Sequence, residues 1–238
     1  MKINRNFTII INWILDNLCP PILRDCYPLM FPIYRIAYGK YTAKLLRYKD
    51  RYPFLTDAEY AEYCDCASKT RVSERPTDLN KAGLQFILQN ALGSCLDAGS
   101  GRGYVAKCLA AAGHTVFAID IVPPKNYSLE ADGYTFISGS LDALPFPDNH
   151  FDTVVCTHVL EHVPNMDTAI SELLRVAKER LIIVLPRQRE YRYVADLHVR
   201  FFPYEYDVRM ALPASARNAC ISVVGFDWGI LIKKDSKQ

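Results

Sequence analysis

Apolar residues are spaced differently in the two ends of the chain. Residues 1–75 carry apolar positions at helical spacing and no alternating strand pattern, and prolines at positions 20, 21, 28, 32 and 53 break the predicted helices. Arg75-Pro76 marks the entry to a further helix, with Asp78 as its predicted N-cap. The sequence therefore predicts an N-terminal helical extension or lid over residues 1–75 and a separate domain over residues 76–238.

From residue 94 onwards, short apolar runs alternate with segments of helical period. One predicted helix ends at Gly113, and another, capped by Asn165, covers residues 166–177. Strands that alternate with helices pair in parallel and form a doubly wound α/β sheet. The predicted strands of this type are Ser94–Ala98, Thr115–Asp120, Tyr134–Ile137, Asp152–Thr157 and Arg180–Leu185.

The end of the chain has the pattern of an antiparallel hairpin. Cys220–Val224 and Trp228–Ile232 are apolar runs separated by the turn Gly225-Phe226-Asp227. The predicted fold class is therefore α/β, with a doubly wound, Rossmann-like and mostly parallel seven-stranded sheet. This sheet ends in the antiparallel hairpin and is preceded by the N-terminal helical extension.

The composition allows one folded domain with a helical extension. Of the 238 residues, 50% are hydrophobic and 23% are charged, so the chain can bury a core and is not expected to be disordered. The net charge of +2 gives no overall signal for a polyanionic partner, but residues 1–53 hold nine Lys and Arg against three Asp and Glu. This basic segment either contacts an anionic surface or forms a solvated helical cap.

A short apolar run near the N-terminus raises the question of a membrane. Lys2 and Arg5 precede Phe7–Leu15, but no small-residue cleavage site follows, and the run is too short to span a bilayer, which needs about 20 residues. The run fits either an in-plane anchor with Trp13 facing lipid or a helix docked on the protein's own body. We therefore predict a cytoplasmic protein, with peripheral contact at the inner face of the membrane through residues 1–25 as an open alternative.

The cysteines give a second indication of the compartment. The chain has eight of them and no CxxC pair, which is typical of free thiols in a reducing cytosol. Cys64 and Cys66 are close in sequence but too few for a metal site, and no metal is predicted.

The sharpest chemical signal is a glycine-rich turn between a predicted strand and a predicted helix. Residues 96–103 read LDAGSGRG, and glycines there let the backbone approach a ligand whose polar groups meet the amides of the helix N-terminus. Asp120 ends the next strand, where a carboxylate can accept hydrogen bonds from ribose hydroxyls. The spacing G-x-G-x-G differs from the G-x-G-x-x-G of dinucleotide sites, and Asp97 would repel a diphosphate but attract an ammonium group. This combination favours S-adenosylmethionine over NAD as the cofactor.

At this point the residues resemble a known family, the class I S-adenosylmethionine-dependent methyltransferases, particularly those that methylate small molecules. The resemblance covers about residues 76–233 and is carried by residues 96–103, Asp120, 139–155 (GSLDALPFPDNHFDTVV), 159–163 (VLEHV) and 180–186 (RLIIVLP). Residues 12–25 and 75–80 are also similar to methyltransferases of bacterial surface-polysaccharide pathways. The resemblance implies a Rossmann-like fold, S-adenosylmethionine as cofactor and S-adenosylhomocysteine as product.

The resemblance also assigns cofactor-binding roles by position. Gly99, Gly101 and Gly103 would line the amino-acid and ribose portion, with Asp97 at the ammonium end and Asp120 at the ribose.

Further positions follow from the same resemblance. Ile121 would pack on the adenine, and Ser140 stands where many relatives have an adenine-binding aspartate. Ser140 can still hydrogen-bond the adenine, as can the backbone at Leu141. Thr157 would lie at the methyl-transfer pocket, and Arg75 would reach the cofactor carboxylate.

Two histidines are the candidate catalytic residues. His158 is either a base or substrate-orienting group, or a strand-end residue that only lines the cofactor pocket. His198 lies in the segment 187–207 on the family's substrate side, where an extended chain would place it on the same side as Asp196; a capping or core role is the alternative. The arginines of this segment either bind a phosphate or carboxylate or stay solvated, and they are Arg187, Arg189 and Arg192.

The predicted reaction is methyl transfer to an oxygen or nitrogen of a small molecule, such as a sugar, glycan precursor or phosphorylated metabolite. A methyltransferase-like binding protein without catalysis and an NAD-dependent oxidoreductase are the alternatives. Nucleic acid is not an expected partner, because residues 157–160 read THVL where nucleic-acid methylators carry Asn/Asp-Pro-Pro-Tyr. The identity of the acceptor and the oligomeric state stay open.

Overall fold

A computed structural model describes residues 13–15, 17–70, 77–122, 124, 128, 132–193 and 196–234. The chain forms two compact units. One unit, called here the helical unit, comprises the described residues among 1–75 and 188–203; the other, called the sheet unit, comprises those among 76–187 and 204–238. The predicted functional division into an extension over 1–75 and a methyltransferase domain over 76–238 stays a prediction.

The sheet unit is built on one seven-stranded sheet. Its strands are β1 (Ser94–Ala98), β2 (Thr115–Asp120), β3 (Thr135–Ser138), β4 (Phe151–Thr157), β5 (Ala177–Pro186), β6 (Cys220–Val224) and β7 (Asp227–Lys233). Their order across the sheet is β3-β2-β1-β4-β5-β7-β6. The first five strands pair in parallel, whereas β7 pairs antiparallel with both β5 and β6. The predicted fold class, including the closing hairpin, is confirmed.

Strands β1, β4 and β5 lie in the centre of the sheet because they are apolar on both faces. Strand β5 buries five consecutive residues, from Leu181 to Leu185, which is typical of a strand covered by helices on both sides. Helices alternate with these strands, and the helices of the sheet unit are Lys81–Asn90, Tyr104–Ala111, Met166–Val176 and Glu205–Ala211. The carboxyl ends of the parallel strands all lie at one edge of such a sheet. Ligands bind at this edge, at the point between β1 and β4 where the strand order reverses.

Two predicted helix caps differ in the structure. Asp78 is not an N-cap, because the helix begins at Lys81 and Asn80 caps it through a 2.9 Å bond from the Gly83 amide. Asn80 lies three residues before Gly83, so its side-chain oxygen can accept the Gly83 amide, which has no partner within the helix. Asn165 stands at the N-cap position of its helix, but its side chain makes no capping hydrogen bond.

The helical unit contains short helices and an aromatic core. Its elements are Pro21–Arg24, Tyr27–Tyr38, Gly39–Tyr41, Thr42–Leu45, Tyr48–Arg51, Tyr52–Phe54 and Asp57–Ser68. The predicted break at Pro32 is wrong, because the helix Tyr27–Tyr38 continues through this residue. Packing of its inner face explains the continuity: Tyr34 and Tyr38 join a buried cluster around Leu45 and Tyr48, which offsets the lost backbone bond at proline.

Two further expectations concern the thiols and the membrane. All eight cysteines are free thiols. Within the described part of the chain, none of the helices has the length and apolar character needed to cross a membrane.

Candidate active site

A cleft opens at the carboxyl edge of the sheet. It is lined by Thr77, Asp78, Leu79, Gly99, Ser100, Gly101, Arg102, Tyr104, Val105, Thr157 and His158. The sheet edge accounts for this composition, because β1 and β4 are neighbours and both end there. The structure thus brings two of the three predicted loop glycines together with Thr157 and His158.

The glycine turn is held by backbone hydrogen bonds. The amides of Gly99 and Ser100 both donate to the carbonyl of Ile119, at 2.8 and 3.1 Å, which ties the turn to β2. Gly101 and Gly103 have φ angles of +50° and +71°, a left-handed conformation that strains other residues. A Cβ at Gly103 would overlap the hydroxyl of the buried Tyr134, whereas a Cβ at Gly101 would meet nothing within 4 Å. The turn therefore has a packed side at Gly103 and an open side at Gly101.

Asp120 closes the turn from the end of β2. One carboxylate oxygen accepts the Gly101 amide at 2.7 Å, and the other accepts the Val122 amide at 3.1 Å. A carboxylate has about four acceptor positions, so these two bonds leave capacity for two hydroxyl donors. Ile121 and Val122, the next residues, are 58% and 63% exposed. A charged acceptor therefore stands beside an apolar surface, which matches a ribose joined to a flat base.

Asp97 occupies a different environment from the one predicted. It is 1% exposed, does not line the cleft, and accepts the Ala106 amide at 2.9 Å. Burial, together with the nearby charge of Asp120, raises the pKa of Asp97 to about 7, although the Ala106 bond opposes the shift. In this structure Asp97 fastens β1 to the following helix, and its contact with an ammonium group stays a prediction.

The predicted adenine-binding segment follows β3. The Gly139 amide donates to the carbonyl of Asp120 at 3.0 Å, which attaches this segment to the end of β2. The Ser140 side chain is exposed and its hydroxyl accepts the Asp142 amide at 3.3 Å, while Leu141 is buried. Ser140 and Ile121 thus belong to neighbouring loops at one edge, as their predicted shared ligand requires.

His158 lies between two carboxylates. Its Nε2 is 3.4 Å from Asp227 Oδ2 and its Nδ1 is 3.6 Å from Oε1 of the fully buried Glu161. Burial alone would lower the pKa of His158, but the two carboxylates raise it to about 10. His158 is therefore a cation at neutral pH, held in a group with a net charge of −1. A proton on each ring nitrogen suits orientation of a neighbour better than abstraction of a proton.

Sequence reasoning missed Asp227 and Asn80, the outer members of this network. The Asn80 side-chain amide donates to Asp227 Oδ2 at 2.6 Å and to the carbonyl of Val224 at 2.8 Å. Asn80 thus joins the β6–β7 turn to the start of the helix that it caps. In the sequence Asp227 fits an ordinary turn residue, so only the fold identifies it as the partner of His158.

His198 is part of a separate hydrogen-bonded group in the helical unit. Its Nδ1 lies 2.8 Å from Gln188 Oε1 and 3.3 Å from Asp196 Oδ2, and Gln188 in turn donates to Asp196 at 3.1 Å. The structure therefore places Asp196 beside His198. Because both neighbours of Nδ1 are acceptors, the hydrogen bonds assign a proton to Nδ1.

The predicted arginines are distributed between the two units. The Arg187 guanidinium stacks over the Trp228 ring at 4.9 Å in the sheet unit, and the Arg192 guanidinium lies 5.4 Å from the Tyr193 ring in the helical unit. Arg189 is exposed. Arg75 lies outside the described residues.

Comparison with known proteins relates one segment of the sheet unit to a protein family. Residues 96–185, from β1 to the end of β5, match the model of a family described as a methyltransferase domain. An uncharacterized methyltransferase of Mycobacterium avium is 35% identical over 94 residues, which cover 38% of this chain and 37% of that protein. A ubiquinone/menaquinone biosynthesis C-methyltransferase of Shewanella pealeana is 46% identical over 68 residues, covering 26% of this chain and 27% of that protein.

A solved structure extends the likeness beyond the matched segment. The 1,6-didemethyltoxoflavin-N1-methyltransferase of Burkholderia thailandensis, with bound S-adenosylhomocysteine, superposes with a TM-score of 0.60. It shares 20% sequence identity, and the match covers 76% of this chain and 92% of that one. The fold is that of Rossmann-like methyltransferases. The aligned part spans about a third of the length of the curated relatives.

Proposed function

We propose that this chain is an enzyme that transfers a methyl group from S-adenosylmethionine to an oxygen or nitrogen of a small molecule. The observation that carries the proposal is the combination of Asp120, the open side of the turn at Gly101, and the exposed Ile121 at one edge of the sheet. The family match over β1 to β5 supports the same activity. The names of the relatives include a C-methyltransferase and an N-methyltransferase, so an acceptor screen must also detect carbon methylation.

The residues at this edge of the sheet fit S-adenosylmethionine. When bound, this cofactor supplies a methyl group already activated by a sulfonium. Asp120 would accept the ribose hydroxyls, Ile121 would cover the adenine, and Gly101 would let the backbone approach without a side chain between. These residues therefore contribute binding and orientation, which is the main task of a protein whose reagent carries its own activation.

His158 would act as a positioning residue in this cleft. It holds a proton on each ring nitrogen, and its charge stays balanced by Glu161 and Asp227. His198 is hydrogen-bonded to Gln188 and lies beside Asp196. Its role as a base toward a hydroxyl acceptor stays a prediction.

We further propose that the helical unit binds an anionic group. Arg24 is buried in the helical unit, and its guanidinium stacks over the Tyr191 ring at 4.5 Å. Its Nε and Nη1 are buried and have no hydrogen-bond partner among the described residues. A buried guanidinium with unused donors favours a carboxylate or phosphate. Sugars and glycan precursors are candidate substrates because of the resemblance to surface-polysaccharide methyltransferases. Phosphorylated or uronic derivatives of sugars would combine the sugar with the anionic group.

Calorimetric titration with S-adenosylhomocysteine tests the cofactor assignment. We expect micromolar binding by the full chain, no binding of NAD, and a loss of at least about tenfold in affinity for Asp120→Ala, because a charged acceptor of ribose hydroxyls is removed. Glu179→Ala, which removes an exposed carboxylate on β5, is the matched control and should bind as the unchanged protein does. Absence of binding, or binding of NAD alone, would refute the proposal. Binding without methylation of any acceptor would favour the non-catalytic alternative.

A panel of sugar ligands tests the binding of an anionic group. Sugar phosphates and uronic acids, each paired with its neutral parent sugar, are titrated calorimetrically into the protein. We expect the anionic members to bind more tightly than their neutral parents, and Arg24→Gln to lower their affinity by about 10- to 100-fold through loss of a charge-assisted contact. Affinity for S-adenosylhomocysteine should stay unchanged.

The control for this experiment is Arg47→Gln, which removes an exposed arginine of the same unit. Thermal unfolding of each variant shows whether the fold is retained. Equal affinity of the unchanged protein for neutral and anionic sugars would refute the binding of an anionic group while leaving methyl transfer intact.

A further inference from the structure

The helix Tyr27–Tyr38 has two apolar faces, and the described part of the chain covers only one of them. Phe31, Tyr34 and Tyr38 lie on one face and pack into the aromatic core of the helical unit. Leu29, Ile33 and Ile36 follow at the i, i+4, i+7 spacing of the opposite face. All three are exposed, Ile36 to 67%. The helix therefore presents to its surroundings a stripe of aliphatic side chains that folding leaves uncovered.

The preceding residues extend this exposed apolar surface. Leu18, Ile22 and Leu23 come directly before the helix and are also exposed, Ile22 to 80%. Of the eighteen exposed large hydrophobic side chains among the described residues, nine fall within residues 13–36. Single exposed apolar residues are common on soluble proteins, whereas such a concentration marks an interaction surface.

The segment that carries the stripe is basic, although the exposed Asp25 follows Leu23. Residues 26–49 contain five Lys and Arg and not one Asp or Glu. Lys44 and Lys49 are paired with Glu62 and Glu190, whereas Lys40 and Arg47 are exposed and make no ion pair among the described residues. An aliphatic stripe in a basic segment with two exposed, unpaired cations complements the hydrocarbon boundary and the anionic headgroups of a membrane.

We infer that Leu29, Ile33 and Ile36, with Ile22 and Leu23 beside them, form a lipid-binding face that docks the protein on an anionic membrane surface. A helix of twelve residues is about 18 Å long and cannot cross the hydrocarbon core, so it lies in the plane of the interface. The excess of positive charge favours this occupant over a second copy of the chain, which would bring like charges together. The proposal does not depend on the methyltransferase activity.

Vesicle flotation with the full chain tests this docking. Vesicles of phosphatidylcholine alone are compared with vesicles that also contain phosphatidylglycerol. We expect binding to the anionic vesicles, weaker binding to the neutral ones, and a decrease in binding as salt is raised. Trp13 is 48% exposed and Trp228, the other tryptophan, is buried, so a blue shift of fluorescence that Trp13→Phe removes would place the N-terminal part of the unit at the lipid.

Two sets of variants separate the apolar and the charged contributions. Leu29→Gln/Ile33→Gln/Ile36→Gln should lower partitioning by about a hundredfold, since three side chains lose their transfer into lipid. The control Phe54→Gln removes an even more exposed apolar side chain of the same unit, outside the stripe, and should have little effect. Lys40→Gln/Arg47→Gln should lower partitioning into anionic vesicles by about tenfold or more, and Lys81→Gln/Lys233→Gln is its control in the sheet unit.

Other outcomes would overturn the proposal. Failure of the unchanged protein to bind either vesicle would do so, as would equal binding by the triple variant. Sedimentation equilibrium completes the test: a dimer that the triple variant dissociates, without vesicle binding, would assign the stripe to a second copy instead.

Discussion

The two sides of the candidate cleft are built in different ways. The side at Gly101 and Gly103 consists of backbone: amides and carbonyls of one short turn, closed by Asp120. The side at His158 consists of charged side chains from two separate parts of the sheet unit: His158 and Glu161 follow β4, and Asp227 begins β7. Backbone groups form a site wherever the local conformation is right, whereas buried charges stabilise one another only when all of them are present.

This difference leads to different responses to mutation. In the turn, glycine matters because of the conformation it permits, so a substitution acts through strain and lost space. In the network, each charged group holds the next, so removal of one leaves another buried without compensation. The network should therefore be the more sensitive side.

The largest effect is expected for His158→Gln. This change leaves Asp227 and Glu161 as buried carboxylates without the cation between them, and we expect a loss of about 3–5 kcal/mol in the free energy of unfolding. Denaturant unfolding measures it. His150→Gln, at an exposed histidine, is the control and should cost less than about 1 kcal/mol.

A double-mutant cycle identifies the cause of that loss. Asp227→Asn added to His158→Gln should recover about 1–3 kcal/mol, because the repulsion between the carboxylates is relieved.

The pH dependence of unfolding gives an independent measure of the network. The pKa of His158 is raised to about 10 from 6.5, so the stabilisation that His158 contributes is complete below pH 6.5 and disappears as the pH rises through 10. Additive effects in the cycle, or the same alkaline instability in His158→Gln, would show that the network is not coupled.

A smaller effect is expected at the packed side of the glycine turn. Gly103→Ala places a methyl group in a left-handed conformation against Tyr134, which is 1% exposed and has no room to move. We expect a loss of about 2–4 kcal/mol from the sum of backbone strain and overpacking. Thermal and denaturant unfolding measure it.

Two other glycines distinguish folding from binding. Gly101→Ala and Gly113→Ala both introduce a methyl group at positive φ with nothing within 4 Å, so each should cost about 1–2 kcal/mol. Only Gly101 lines the cleft, and only its variant should weaken binding of S-adenosylhomocysteine. Equal affinity of both variants would mean that the open side of the turn does not contact the ligand.

Most of the fold could be predicted because its signals are local. The bounds of β1, β2 and β6 agree with the sequence prediction, since each is a short apolar run between turn residues. The helix caps were harder, because Asp78 and Asn80 are both good capping residues and only the packing of the helix selects between them.

The site could be predicted only in part, because only some of its signals are local in the sequence. The turn at 99–103 and Asp120 lie in consecutive strand–turn–helix units, so their placement follows from the chain order. The partners of His158 come from Glu161 and, much further along the chain, from Asp227 in a hairpin turn. The distance between His158 and Asp227 in the sequence does not reveal their contact. The apolar pattern predicts the strand β7 but does not show that it pairs with β5.

The sequence by itself determined the doubly wound sheet, the glycine turn and the carboxylate at the end of β2, because each is encoded by residues that are neighbours in the chain. The tertiary structure decided the states of the charged groups: the buried Asp97 with its raised pKa, the His158 cation and the unused donors of Arg24. It also decided that the outer face of the helix Tyr27–Tyr38 stays exposed. The physical reason is that protonation and exposure depend on burial and on neighbours in space, which only the packed chain defines.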